Sequence, residues 1–174
     1  MTQITTNPSW VFGYGSLIYK VDFPYQQRVV ASITGWQRRF WQGSHDHRGT
    51  PEAPGRVVTL IPARGIQCKG VAYQVEARVF EHLDHREKNG YQRHTTDIVL
   101  SDSASTVQGV VYVARPENPA YLGAASEAEV AAHIAGARGP SGSNRDYLLQ
   151  LAAALRDLDD HDPHVRALEL LLCE

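Results

Sequence analysis

The segment Phe12-Gly13-Tyr14-Gly15-Ser16-Leu17 sets a glycine on each side of a tyrosine, directly after the apolar run Trp10-Val11-Phe12. Glycine lets the backbone turn sharply and approach a ligand closely. Successive N–H groups exposed by such a turn form a concave anion site, suited to a carboxylate or a developing oxyanion. A plain hairpin turn accounts for the same residues. The third glycine of a dinucleotide fingerprint is missing, and the continuation through Pro24 does not read as the helix that fingerprint requires. Ser16 does not stand in G-x-S-x-G, so it is no nucleophile elbow.

Glu87 is the second candidate. On a helix, Phe80, Leu83 and Glu87 share one face, so the carboxylate continues an apolar stripe. A carboxylate held there is desolvated, which raises its pKa towards the range useful for proton transfer at neutral pH. A glutamate that has rotated out to solvent near Gly90 fits the same spacing.

Other polar clusters have simpler readings. His45, His47, His82, His85, His161 and His164 supply neither H-E-x-x-H nor a third ligand at a known spacing, so no metal site is expected. Arg38-Arg39-Phe40-Trp41 mixes cations with aromatics as single-strand nucleic-acid platforms do, but strand alternation with the aromatics buried and the arginines outward explains it more simply. Gly139-Pro140-Ser141-Gly142-Ser143-Asn144 delivers a helix N-terminus, which either holds a substrate carboxylate or is an ordinary capped loop.

These residues need a scaffold. Strands are expected at Trp10–Phe12, Arg28–Trp36, Arg56–Ile61, Gly70–Val75, Thr95–Leu100 and Val107–Ala114, spaced as in a closed or nearly closed sheet. Helices are expected over Glu76–Lys88, from a capping box at Ser126 to about Ala135, over Tyr147–Leu158 with Asn144 as cap, and from Asp162-Pro163 onwards. The expected fold is therefore an α+β small mixed β-barrel with flanking helices, in one domain over residues 1–174.

Composition narrows the function. The 174 residues carry 17 Lys+Arg against 19 Asp+Glu, a net charge of -2 that argues against a dedicated nucleic-acid binder. Cys68 and Cys173 form no C-x-x-C pair, which suits free thiols in a reducing cytosol. No apolar run is long enough to span a bilayer, and the N-terminus lacks a signal-peptide pattern. A soluble, cytoplasmic protein is expected.

Taken in order, several runs resemble the glutathione-specific branch of the ChaC family of γ-glutamylcyclotransferases. They are Val11–Ile18, Phe40–Ser44, Asp46–Pro51, Pro54–Leu60, Gly70–Tyr73, Arg86–Tyr91 and Ser141-x-x-Asn144-x-x-Tyr147-Leu148. Tyr19 stands where that pattern leads one to expect tryptophan, and Asp146 where glutamate is common. The resemblance implies a γ-glutamylcyclotransferase-like barrel and a cofactor-free enzyme that forms 5-oxoproline and Cys-Gly from glutathione. It implies that the turn Val11, Phe12, Gly13, Tyr14, Gly15, Ser16, Leu17 cradles the γ-glutamyl group and that Glu87 is the general acid/base. Ser141, Asn144 and Tyr147 are expected at the pocket wall, and Arg48 and Arg56 are candidates for the glycyl carboxylate. A small-molecule substrate is thereby implied, with no nucleic-acid or membrane partner, for a monomer or weak homodimer. Competing readings are a cyclotransferase acting on other γ-glutamyl amino acids or amines, and a non-catalytic γ-glutamyl-ligand binding module.

Overall fold

The computed structural model describes residues 9–86 and 90–173. Strand β1 (Ser9–Gly13) is followed by a short 3-10 turn (Ser16–Ile18) and the long strands β2 (Gln27–Ser44) and β3 (Gly55–Val75). Helix α1 (Val79–Arg86), strands β4 (Tyr91–Leu100) and β5 (Thr106–Ala114), and helix α2 (Glu127–Gly136) come next. A two-residue ribbon (Arg138–Gly139 with Gly142–Ser143) leads into helices α3 (Asn144–Asp157) and α4 (Pro163–Leu172). The sheet closes as a barrel in the order β1-β3-β2-β4-β5. Its seam is the parallel contact of β1 with β5 at Val11 and Val110, and its other pairings are antiparallel. This is the α+β barrel with flanking helices that the strand spacing and the family resemblance led us to expect.

Two of the strands are longer than the sequence suggests. Arg28–Trp36 and Arg38–Trp41 belong to the single strand β2, and Arg56–Ile61 and Gly70–Val75 to β3. The pairing jumps from Thr34 opposite Gln67 to Trp36 opposite Pro62, so residues 63–66 have no partner on β2. Gly35 sits at this jump with φ +96°, a conformation that side-chain-bearing residues rarely take. A second shift, between Arg39 and Gln42, places two residues of β2 opposite one of β3. Such bulges bend strands, and long strands must bend to wrap a small barrel.

The core fills the barrel and continues under the helices. Val11, Val71, Tyr73, Phe40, Ile98 and Val111 are essentially inaccessible, as are Ile134, Leu148, Leu151 and Leu168 from the helices. Leu148, Leu151 and Leu155 form the buried stripe of α3, continued by Leu158 at its C-cap, and truncating one such leucine costs about 2–5 kcal/mol. The capping box at Ser126 forms, with the serine side chain accepting from the Glu129 N–H, and Asp162 caps α4 ahead of Pro163. Helix α3 differs from expectation. Its cap is Ser143, whose hydroxyl accepts from the Asp146 N–H at 3.1 Å, and Asn144 is the first helical residue. The Asn144 carboxamide is engaged instead with the backbone of Arg56. No helix among the described residues is long and apolar enough to cross a membrane.

Candidate active site

A cavity of about 390 Å³ opens where the turn after β1 meets β2, the following loop and α3. That volume lies within the range of small-molecule sites. Phe12, Gly13, Tyr14, Gly15, Ser16 and Leu17 all line it, so the structure brings six members of the expected cradle together. Val11 is instead a wholly buried wall residue of the barrel, paired with Tyr73 and Val110.

The turn is tied down from every side. The Tyr14 hydroxyl donates to the Tyr112 carbonyl at 2.6 Å, and Arg38 Nε donates to the Tyr14 carbonyl at 2.7 Å. Tyr73 donates to the Leu17 carbonyl at 2.6 Å, and Arg28 to that of Ile18 at 3.2 Å. Inside the turn, Ile18 N–H reaches the Gly15 carbonyl while Tyr19 and Lys20 N–H reach that of Ser16. A 3-10 turn leaves its leading N–H groups without a partner inside the turn, and here those belong to Ser16 and Leu17. Gly15 is required by contact. A Cβ there would stand 2.7 Å from Val58 Cγ2 and 3.3 Å from the Tyr147 hydroxyl.

Arg38 corrects the simple alternation expected for Arg38–Trp41. It is 2% exposed, on the same side of β2 as Phe40, and Trp41 is only partly buried. Its guanidinium is fully paired: Nη1 donates to Asp160 at 3.1 Å and to Asp162 at 3.0 Å, and Nη2 donates to the Lys69 carbonyl. A buried charge is tolerable only with such compensation. The arginine thus links the Tyr14 turn to the cap of α4.

The two arginines suggested for a carboxylate have different surroundings. Arg48 lines the cavity, with its guanidinium 5.6 Å from the centre of the Tyr147 ring and Nη1 donating to the Ser143 carbonyl at 3.2 Å. Arg56 does not line it. Its Nη1 donates to the carbonyls of Phe40 at 3.0 Å and Gly123 at 3.2 Å, and its Nε meets His133 Nδ1 at 3.3 Å. Burial, partly offset by Glu129, holds its pKa below the usual arginine value.

Tyr147 and Ser141 both line the cavity, and Asn144 does not. Ser141 Oγ lies 3.1 Å from His47 Nδ1, which fixes the loop over the cavity edge. Asn144, wholly buried, accepts from the Arg56 N–H and donates to the Arg56 carbonyl, each at 2.7 Å. It braces the start of β3 without lining the cavity.

Glu87 lies outside the described residues. Both flanks of its segment reach the cavity, through His82 on α1 and Tyr91 at the start of β4. The last described turns of α1 are anchored by Asp84, which accepts from Tyr112 at 2.7 Å and from Arg93 Nε at 2.8 Å. These hydrogen bonds hold the Asp84 carboxyl below the ordinary carboxylate range.

Sequence reasoning missed further lining residues. Tyr112 hides in a β-branched strand, and Gln42 directly after the β2 bulge. Tyr19, already singled out in the sequence as a departure from the family pattern, lines the cavity too, and burial, opposed by the charge of Arg48, pushes its hydroxyl up to about 12. The Tyr19 hydroxyl and Gln42 Oε1 are buried without a hydrogen-bond partner among the described residues.

The chain is similar to known proteins over most of its length. A chain similar over 174 residues is glutathione-specific gamma-glutamylcyclotransferase 1 of Danio rerio, 44% identical and covering 94% of this chain and 88% of the relative. Gamma-glutamylcyclotransferase 2-3 of Arabidopsis thaliana is 46% identical, covering 90% and 84%. The crystal structure of a γ-glutamyl cyclotransferase specific to glutathione from yeast superposes with a TM-score of 0.87 at 33% identity, covering 96% of each chain. A more distant γ-glutamyl cyclotransferase structure, at 12% identity and TM-score 0.59, shares the fold. The model of the ChaC-like protein family matches residues 9–173, from the first residue of β1 to the cap of α4, and so takes in the barrel, the anchored turn and the whole cavity lining. The chain therefore belongs to the ChaC-like family.

Proposed function

We infer that this protein is a γ-glutamylcyclotransferase that converts glutathione to 5-oxo-L-proline and L-cysteinylglycine. The observation that carries the reading is the anchored Gly13–Leu17 turn lining a cavity of about 390 Å³ in a chain 44% identical to a relative named for that activity.

The substrate brings its own nucleophile. The α-amine of the γ-glutamyl group attacks the γ-carbonyl carbon, a five-membered ring closes, and the bond from that carbon to the cysteinyl nitrogen breaks. Because both reacting groups belong to one molecule, the protein mainly holds the bent conformer. The leading N–H groups of the turn face developing negative charge on the γ-oxygen or the γ-glutamyl carboxylate. Arg48 is a cation inside the cavity, suited to the glycyl carboxylate. An α-amine titrates near ~8 and is mostly protonated at pH 7, so a base must take a proton before attack. Glu87 is proposed for this step: it accepts the ammonium's proton and returns it to the departing cysteinyl nitrogen, while the second proton that the attacking nitrogen sheds on ring closure leaves to solvent. Its support is the helix register of Phe80 and Leu83 and the two cavity-lining flanks, His82 and Tyr91.

The thiols of Cys68 and Cys173 are free, which supports work in a reducing, cytoplasmic setting. Turnover of glutathione beside γ-glutamyl amino acids tests the substrate assignment. Product from glutathione at least about tenfold faster than from γ-glutamylalanine is expected, a margin of roughly 1.4 kcal/mol. The reverse order would make it a cyclotransferase of other γ-glutamyl compounds.

A further inference from the structure

We propose that Gln42 binds and orients the α-amine of the γ-glutamyl group, its side-chain carbonyl accepting an amine N–H so that the nitrogen lone pair points at the γ-carbonyl carbon. The proposal rests on the function inferred above and assigns a residue to the nucleophile's side of that reaction.

Three features single out this glutamine. It is 1% exposed and lines the cavity, yet its Oε1 has no hydrogen-bond partner among the described residues. A buried carbonyl oxygen without a donor is costly, and native structures seldom keep one without a use. The β2 bulge falls immediately before it, where the pairing passes from Arg39–Thr59 to Gln42–Val57. Bulges beside sites re-aim side chains. The backbone is gripped on its other edge as well, by the bridge from Gln42 to Tyr121 and by the Gly43 N–H donating to the Ala120 carbonyl at 2.8 Å. The position is therefore rigid while the amide at its tip is not. The terminal torsion of glutamine is broad and soft, so Oε1 swings towards a donor in the cavity without leaving any existing bond.

The chemistry of the lining indicates which donor. Substrate oxygens are met by the turn N–H groups and Arg48, whereas the amine needs an acceptor. Asp22 and Asp46 also line the cavity, but both are solvent-exposed carboxyl groups. A carboxylate against the amine favours the ammonium form, which has no lone pair to attack with. An uncharged carbonyl holds an N–H with far less of that penalty. Gln42 supplies such an acceptor deep in the site.

The test compares two ligands on two proteins. Dissociation constants are measured by calorimetry for glutathione and for glutaryl-cysteinylglycine, which lacks only the α-amine, on the Glu87→Gln protein with and without Gln42→Met. With Gln42 present, glutathione should bind about tenfold or more tighter than the deamino ligand; in the protein that also carries Gln42→Met, the two should bind within about threefold of each other. A ratio unchanged by Gln42→Met overturns the proposal. Gln42→Glu gives a separate readout that lost packing would not produce. A carboxylate there should move the rising limb of the kcat–pH profile for glutathione, which reports the enzyme–substrate complex, upwards by about one pH unit or more, and an unmoved limb overturns the proposal. Failure of the wild-type protein to cyclise glutathione removes the functional reading and this one with it; cyclisation with an unchanged ligand ratio removes only the role of Gln42.

Discussion

Asn144 clamps the backbone of Arg56, its Oδ1 accepting the Arg56 N–H and its Nδ2 donating to the Arg56 carbonyl, both at 2.7 Å. The contact joins the first turn of α3 to the start of β3 and so sets where the Ser141–Ser143 loop crosses the cavity. Asn144→Leu should leave both backbone groups buried without partners and lower stability by about 2–4 kcal/mol. Urea unfolding checks this; a midpoint equal to wild type would mean the clamp contributes nothing.

Arg48 and Arg56 should separate in kinetics. Arg48→Ala removes a cavity cation and is expected to raise KM for glutathione about tenfold or more while the protein stays folded. Arg56→Ala removes the donors to Phe40 and Gly123 and should lower the melting temperature, with KM of the folded fraction within about twofold of wild type. Steady-state kinetics with thermal melts on both variants distinguishes the two roles, and a raised KM in Arg56→Ala would contradict the placement.

Gly15→Ala tests the turn by a single methyl. The added carbon would meet Val58 Cγ2 at 2.7 Å, so the turn must shift away from β3. Displacing a positioning element by a fraction of an ångström to an ångström can cost about 100-fold in rate. We expect kcat/KM to fall by about that factor while the circular dichroism spectrum is retained.

Stability should weaken in mild acid through His164. The imidazole is buried, its Nε2 accepts from the Phe40 N–H at 3.1 Å, and Nδ1 lies 3.5 Å from Glu127. Burial, assisted by the charge of Arg39 and opposed by Asp162, pushes its pKa down to about 4. The unfolded chain titrates this group near ~6.5 and binds more protons between the two values. The contribution is therefore fully present above about pH 6.5, declines as pH falls, and levels off below about pH 4 after a loss of at most about 3 kcal/mol. His164→Gln should flatten this part of a melting-temperature profile; an unchanged slope would show the histidine is not responsible.

Features with local causes were legible in the sequence. The Ser126 capping box, the Asp162-Pro163 start and the leucine stripe of α3 each depend on neighbours within a turn or two. The glycine-flanked Tyr14 turn was legible for the same reason. What escaped depends on distant partners. Arg38 is buried because Asp160 and Asp162, far along the chain, neutralise it. Asn144 and Arg56 were visible as residues of special runs, but only the folded chain shows them serving each other. Gln42 owes its direction to a bulge that alternation conceals, and β3 reads as two strands because residues 63–66 leave the ladder.

The measurement closest to the centre of this account is mass spectrometry of reduced glutathione incubated with the purified protein, beside its Glu87→Gln variant. The account predicts 5-oxoproline and Cys-Gly in equal amounts from the wild type, with turnover lowered by about 10²–10⁴ in the variant. Intact glutathione with the wild type would contradict the assigned reaction, and near-wild-type turnover in Glu87→Gln would remove that residue from the mechanism.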